Sequence, residues 1–309
     1  MKRRTFVALA STAAAIGTGL PDVLGPANCT RAMKPIPRSG PAKMRLSVAA
    51  YSLRDKLPMY RNSADATGDL HMEDFIKLAA EKWPVDAVEL TSYFLPHPTP
   101  DKRALELKRL AHTLGLDISG GAIGNNFSAA ADSPELAKQM AYTEAWIKSY
   151  AKMGAPVIRV FAGKPAKGAD QKKAVANIIE NLQTACAIAG KHGVMLAMEN
   201  HDFTTDIDRF LEIIEAVDSP WFGANLDSGN LARTDDPYRE LARIAPYTVN
   251  AQIKVHIPVN GKKQPADMKR LVDLLRDAGY RGYLVLEYED AENPLTAIPK
   301  HLDELANLL

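Results

Sequence analysis

Eight short apolar runs, each followed by a polar loop and an amphipathic stretch, limit what this chain can fold into. The runs read LSVAAYS (46–52), DAVEL (86–90), LDISGGAI (116–123), PVIRVFAG (156–163), LAMENH (196–201, with Met195 ahead of it), FGANLD (222–227), VNAQIKVH (249–256) and YLVLEYE (283–289). The stretches between them carry apolar residues near helical spacing, as Leu105, Leu107, Leu110 and Leu114 do. Helix punctuation falls where such units need it. Ser133-Pro134 has the form of a cap followed by Pro at the first helical position, and Gly154 stands where that helix should stop. The remaining helices are expected over 73–83, 102–115, about 169–193, 206–217, 236–245, 266–279 and roughly 295–309. Strand and helix alternate throughout, with no all-β or all-α block. That pattern predicts an α/β fold, a single-domain (β/α)8 TIM barrel over 45–309, in preference to an open doubly wound sheet. No GxGxxG follows the first run, which counts against a dinucleotide-binding fold.

The N-terminus departs from this pattern. Lys2, Arg3 and Arg4 precede Thr5-Phe6-Val7 and an uncharged, small-residue-rich stretch, Ala8–Leu20. A basic region followed by an apolar one reads as an export leader, and the Arg pair resembles the twin-arginine signal. The expected organisation is therefore a twin-arginine-type signal peptide over 1–27, a Pro-rich linker over 28–44 and the barrel over 45–309. The twin-arginine export machinery would be a partner, and the destination would be the bacterial periplasm. Cleavage near Ala27 leaves lipidation at Cys29 open. Two cysteines, Cys29 and Cys186, make no disulfide framework. A formal net charge of +1 with 24% charged residues argues against nucleic-acid or membrane-surface binding. No internal apolar run approaches the roughly 20 residues that span a bilayer, so no stable membrane insertion is expected after export. Oligomeric state stays open.

In a barrel of this kind the functional site forms at the carboxyl ends of the strands. The longest loops, 53–70, 91–100 and 124–132, fall at that end and can shape a small-molecule pocket. The last four runs each offer a polar side chain there. Strand alternation puts Glu199 and His201 on one face, Asn225 and Asp227 on one face, Gln252, Lys254 and His256 on one face, and Glu287 and Glu289 on one face. Carboxylates on the inward face of a barrel are costly unless paired, hydrogen-bonded or bound to a cation. A divalent ion would resolve the repulsion among Glu199, Asp227 and Glu287. Hard oxygen ligands favour Mn2+ or Mg2+, with Co2+ or Zn2+ as alternatives.

VEL (88–90), MENH (198–201), NLDSGN (225–230), QIK (252–254) and LEYE (286–289) resemble the xylose isomerase-like TIM barrels, the sugar phosphate isomerase/epimerase superfamily. The resemblance implies one metal held by Glu, Asp, His and Glu from the last four strands, matched here by Glu199, Asp227 and Glu287. Gln252 stands in the histidine's place, with His256 as the alternative. The resemblance further implies that Glu199 and Glu287 act as an acid/base pair. They would move a proton α to a carbonyl through an enediolate while the metal polarises that carbonyl. His201, Lys254, His256, Arg159 and Glu89 are the candidates for holding the substrate. A sugar isomerase or epimerase acting on a free sugar or keto-sugar is the leading expectation. A lyase or dehydratase acting on a keto-glycoside shares the first step, and a non-catalytic sugar-binding barrel is the remaining alternative. The nuclease branch of this barrel needs a histidine-rich three-metal cluster, which seven histidines, few of them near strand ends, do not supply.

Overall fold

A computed structural model describes residues 33–60 and 69–309. The leader over 1–27, Cys29 and the middle of the 53–70 loop lie outside the described residues. The chain runs β1 (Arg45–Ala49), α1 (Met72–Lys82), β2 (Ala87–Thr91), α2 (Asp101–Thr113), β3 (Asp117–Ala122), α3 (Pro134–Met153), β4 (Val157–Val160) and α4 (Gln171–Lys191). It continues through β5 (Met195–Glu199), α5 (Ile207–Ala216), β6 (Phe222–Asp227), α6 (Pro237–Ile244), β7 (Thr248–Ile253), β8 (His256–Val259), β9 (Lys262–Pro265), α7 (Met268–Asp277), β10 (Tyr283–Leu286) and α8 (Pro294–Ala306). Eight of the strands close a parallel barrel in the order β1-β10-β7-β6-β5-β4-β3-β2. The predicted TIM barrel is the fold.

Local chemistry explains the element boundaries. Ser133 caps α3 by accepting from Leu136 N, Pro134 takes the first helical position, and Gly154 ends the helix at φ 84°. Asp170, Asp206, Asp236 and Asp267 cap α4, α5, α6 and α7 through their side chains. The seventh run behaves differently from expectation. Its strand stops at Ile253, and β8 and β9 form a separate antiparallel hairpin. Asn260 and Gly261, at φ 51° and 77°, make the two-residue turn that favours such a hairpin.

Alternate strand residues divide the barrel in two. Outward residues such as Leu46, Val48, Leu196, Met198, Leu284 and Leu286 join the helices in one apolar core. Each such buried side chain contributes roughly 1.5–3 kcal/mol. Inside the barrel the apolar cluster is small, with Ala49, Ala87, Tyr283 and Val285. Many of the remaining inward side chains are polar, among them Ser47, Glu89, Asn225, Asn250 and Gln252. No helix among the described residues is long and apolar enough to cross a membrane.

Residues 33–44, expected as part of a linker, are fastened to the amino-terminal end of the barrel. Ile36 N donates to Pro246 O at 3.0 Å, Lys43 N donates to Tyr280 O at 3.1 Å, and the Arg38 guanidinium donates to Ala278 O at 3.0 Å.

Candidate active site at the carboxyl ends of the strands

The deepest polar layer is a closed ring of hydrogen bonds. Asn250 Nδ2 donates to Glu89 Oε2 at 2.9 Å and to Asn225 Oδ1 at 2.8 Å. Asn225 Nδ2 donates to Gln252 Oε1 at 2.7 Å, and Gln252 Nε2 returns to Glu89 Oε1 at 2.7 Å. All four side chains are buried. Burial pushes the Glu89 carboxyl up to about 7, and the nearby Glu287 charge adds to this, against the two amide donors.

Above the ring the charges meet. Arg159 Nε lies 2.9 Å from Glu199 Oε2, its Nη1 donates to Ile123 O at 2.8 Å, and its guanidinium covers the Phe161 ring at 4.0 Å. Asn230 Nδ2 donates to the other oxygen, Glu199 Oε1, at 2.8 Å. Lys254 Nζ sits 3.0 Å from Glu287 Oε1, 3.2 Å from Glu289 Oε2 and 3.4 Å from Asp227 Oδ2. Burial works against the Lys254 charge, but Asp227, Glu287, Glu289 and Glu199 outweigh it and hold the ammonium's pKa well above the ordinary value. Glu199 and Asp227 are both raised, chiefly by burial and partly by their acidic neighbours, while Arg159 and Lys254 oppose the rise at Glu199 and Lys254 opposes it at Asp227.

Two short segments hold these groups in place. Asn200, just past β5, donates to Asp227 O at 2.8 Å and to Asn230 O at 2.6 Å, and accepts from Asp227 N at 2.8 Å. It ties the end of β5 to the end of β6. Gly229 N donates to Asp227 Oδ1 at 2.7 Å, and Ser228 Oγ accepts from Lys254 N at 2.8 Å. The Lys254 stem passes so close to Gly229 that a Cβ there would lie 2.7 Å from Lys254 Cγ.

A cavity of about 330 Å3 opens over this cluster, bordered by Arg159, Glu199, Lys254, Glu287, Asn230 and His201. Tyr51 and Tyr93 also line it. A second cavity of about 360 Å3 shares Asn230, Lys254 and Glu289 with it and is walled by the β8–β9 hairpin.

The nine residues picked out from the sequence fall into three groups. Glu199, Glu287, Lys254, Arg159 and His201 border the first cavity, with Asp227 buried beside Lys254. Glu89 and Gln252 lie below, in the ring. His256 belongs elsewhere. The chain has left the barrel by then, and His256 opens β8, lies with its Nδ1 3.1 Å from Asp290 Oδ2 and lines the second cavity. It does not join the three acids as a ligand. His201 packs against Phe161 with the rings tilted by 39° and 4.6 Å between centroids, and burial lowers its pKa. Asn200 and Asn230 were missed as site residues. Both stand inside the quoted motifs, but an uncharged amide next to ionisable side chains gives no separate signal.

A divalent ion shared by Glu199, Asp227, Gln252 and Glu287 does not fit this arrangement. Gln252 is tied into the ring below, its oxygen accepting from Asn225 and its nitrogen donating to Glu89, and it does not border the cavity that Glu199 and Glu287 line. Each of the three carboxylates lies within 3.4 Å of a buried cation, Glu199 of Arg159 and Asp227 and Glu287 of Lys254, although Asp227 Oδ2 makes no hydrogen bond within the described residues. Among the described residues no group of three or more His, Cys, Asp or Glu side chains is arranged to hold a metal ion.

The family model for the xylose isomerase-like TIM barrel matches residues 78–308. The chain belongs to the xylose isomerase-like TIM barrel family. Solved structures of similar fold include D-psicose 3-epimerase from Clostridium cellulolyticum H10 with D-tagatose, at 16% identity and TM-score 0.66 over 86% of this chain and 99% of that one. A probable 3-DHS dehydratase of petrobactin synthesis from Bacillus anthracis aligns at 17% identity and TM-score 0.63, over 85% and 99%. A xylose isomerase-like TIM barrel protein from Mycobacterium smegmatis, in complex with magnesium, aligns at 17% and 0.65, over 86% and 98%. No curated protein matches the chain in sequence. At these identities the solved structures share the xylose isomerase-like fold, and the reactions in their names belong to them.

Proposed function

We propose that this chain is a sugar isomerase or epimerase that moves a proton α to a carbonyl, with Glu199 and Glu287 as the acid/base pair. The observation that carries the reading is that two buried carboxylates border one cavity, each with its own cation. In such a reaction negative charge develops on the carbonyl oxygen as the α-proton leaves. Lys254 and Arg159 can meet that charge, and Asn230 and His201 can hold hydroxyls. Burial raises the Glu199 carboxyl, which brings its pKa toward the range where a general base both accepts and returns a proton near neutral pH. The named activities of the epimerase and dehydratase neighbours agree with such a first step.

The second cavity favours a substrate larger than one small sugar ring. It shares Lys254 and Glu289 with the first, so a keto-glycoside could place its second group there. β-Elimination from such a compound, a lyase outcome, begins with the same proton abstraction. The leader motif supports export to the periplasm by the twin-arginine route.

The test is exchange of deuterium from D2O into a panel of ketoses and 3-keto-glycosides, followed by product analysis. Wild-type protein is expected to label carbon α to the carbonyl in at least one compound. Glu287→Gln is expected to lower exchange by about 10²-fold or more, in line with loss of a positioned acid/base, while its melting temperature stays near wild type. Sugar binding without exchange would replace this reading with a non-catalytic sugar-binding barrel.

A further inference from the structure

We infer that Lys254 is the resident cation of this site, and that its ammonium makes the carboxylate cluster independent of a divalent ion. The inference concerns the site of the proposed function but does not depend on its reaction.

Three independent features support it. Lys254 Nζ lies within 3.0–3.4 Å of three carboxylates that come from β6 and from the segment after β10. A flexible surface lysine does not hold three acids at once. Here the stem is fixed, because the residue is only 8% exposed, its backbone N is bound by Ser228 and its Cγ passes over the bare backbone of Gly229. The position is built rather than occupied by chance.

The second feature is Gln252. An amide in a metal site must offer its oxygen to the ion. Here that oxygen faces the Asn225 donor, and the opposite end of the amide donates to Glu89. Turning the amide over would set its NH2 against the Asn225 NH2 and its oxygen against the Glu89 carboxyl. Both contacts would be lost while Glu89 is ionised, so the ring favours the orientation that turns the oxygen to Asn225, and Gln252 lies in the ring rather than on the wall of the cavity.

The third is Glu199. Both of its oxygens are engaged, one by Arg159 at 2.9 Å and one by Asn230 at 2.8 Å. An ion would have to displace a guanidinium and an ammonium to gather the acids, and it would then stand beside both displaced charges. A fixed ammonium also differs from an ion chemically. It donates hydrogen bonds to a developing oxyanion, cannot be removed by a chelator, and offers no open coordination position to substrate oxygens.

The test uses the full chain as purified, with Mn2+ as the probe. After dialysis against a chelator, wild type is expected to keep its melting temperature and to show no stoichiometric Mn2+ uptake in calorimetry or equilibrium dialysis. Lys254→Met releases Asp227, Glu287 and Glu289, so its Mn2+ affinity is expected to rise by at least about tenfold over wild type, read as a Mn2+-dependent rise in melting temperature. Should Lys254→Met not fold, Lys254→Gln, which removes the charge and keeps a shorter polar side chain, takes its place with the same expectation. One tightly bound Mn2+ per wild-type chain, or a melting temperature that falls with chelator, would overturn the inference. So would variants that bind Mn2+ no better than wild type. These readouts do not involve turnover. A wild type that binds no Mn2+ and exchanges no deuterium overturns the proposed function alone. One that binds Mn2+ and exchanges deuterium overturns the resident-cation inference alone.

Discussion

Glu89 illustrates how position changes the meaning of a residue. From the sequence it is a glutamate at the end of the second strand and a lesser candidate for substrate binding. In the fold it is fully buried and accepts from Asn250 and Gln252, with its carboxyl pushed up to about 7. That shift has a consequence for stability. The unfolded carboxyl releases its proton near 4.5, while the folded one keeps it to about 7. Between those values the folded state binds more protons, so stability falls as pH rises from about 4.5 to about 7 and then levels off. The ceiling on this one contribution is about 3 kcal/mol. Glu89→Gln removes the titration. Urea midpoints measured from pH 4.5 to 8 are expected to show a flatter profile in the variant. An unchanged slope would assign the pH dependence to other groups.

At the scale of elements, the segment 227–230 and the β8–β9 hairpin do the positioning. The segment carries Asp227, binds Lys254 N through Ser228, leaves room for the Lys254 stem at Gly229 and presents Asn230 to Glu199. Gly229→Ala would bring a Cβ to 2.7 Å from Lys254 Cγ, closer than carbon atoms normally approach. The expected result is a loss of about 1–3 kcal/mol from overpacking together with lower deuterium exchange, because the displaced ammonium no longer meets its acids. Loss of stability with full exchange would show that Lys254 tolerates the move. The hairpin places His256 beside Asp290, away from the cluster. Its Asn260-Gly261 pair was readable as a hairpin turn, yet a continuous strand from 249 to 256 was the simpler pattern and put His256 on the inward face. Turn chemistry prevailed over alternation there.

For the molecule as a whole, the export route is argued from residues outside those the structure describes. Arg3→Lys with Arg4→Lys, in the full chain expressed in a bacterium with a twin-arginine system, is expected to leave the protein in the cytoplasmic fraction, where wild type is recovered from the periplasm. Equal recovery of both from the periplasm would point to an ordinary secretory leader. Most of the barrel was legible in the sequence, because each βα unit is a local event. Apolar alternation makes the strand, an amphipathic period makes the helix, and a capping Asp or Ser followed by a terminating Gly marks the ends. The convergence of Glu199, Asp227 and Glu287 at one end was legible for the same reason, since parallel strands of a closed barrel must end together.

What the sequence could not fix was which partner each polar group would take. Strand alternation alone sends Gln252, Lys254 and Glu89 inward, but whether an amide oxygen faces an ion or a neighbouring Asn is decided by atoms on other strands at distances under 3 Å. Asn225 and Asn250 close a ring only because β6 and β7 pair with Asn225 opposite Asn250, after a shift in register at Ala224. Lys254 meets Glu287 and Glu289 only because β7 and β10 are neighbours, as barrel closure requires of strands that flank the inserted hairpin. Composition and periodicity, then, determined a barrel with an acidic mouth. The tertiary pairing decided that Lys254 and Arg159 face those acids, because hydrogen bonds and ion pairs depend on ångström-scale separations that no one-dimensional pattern encodes.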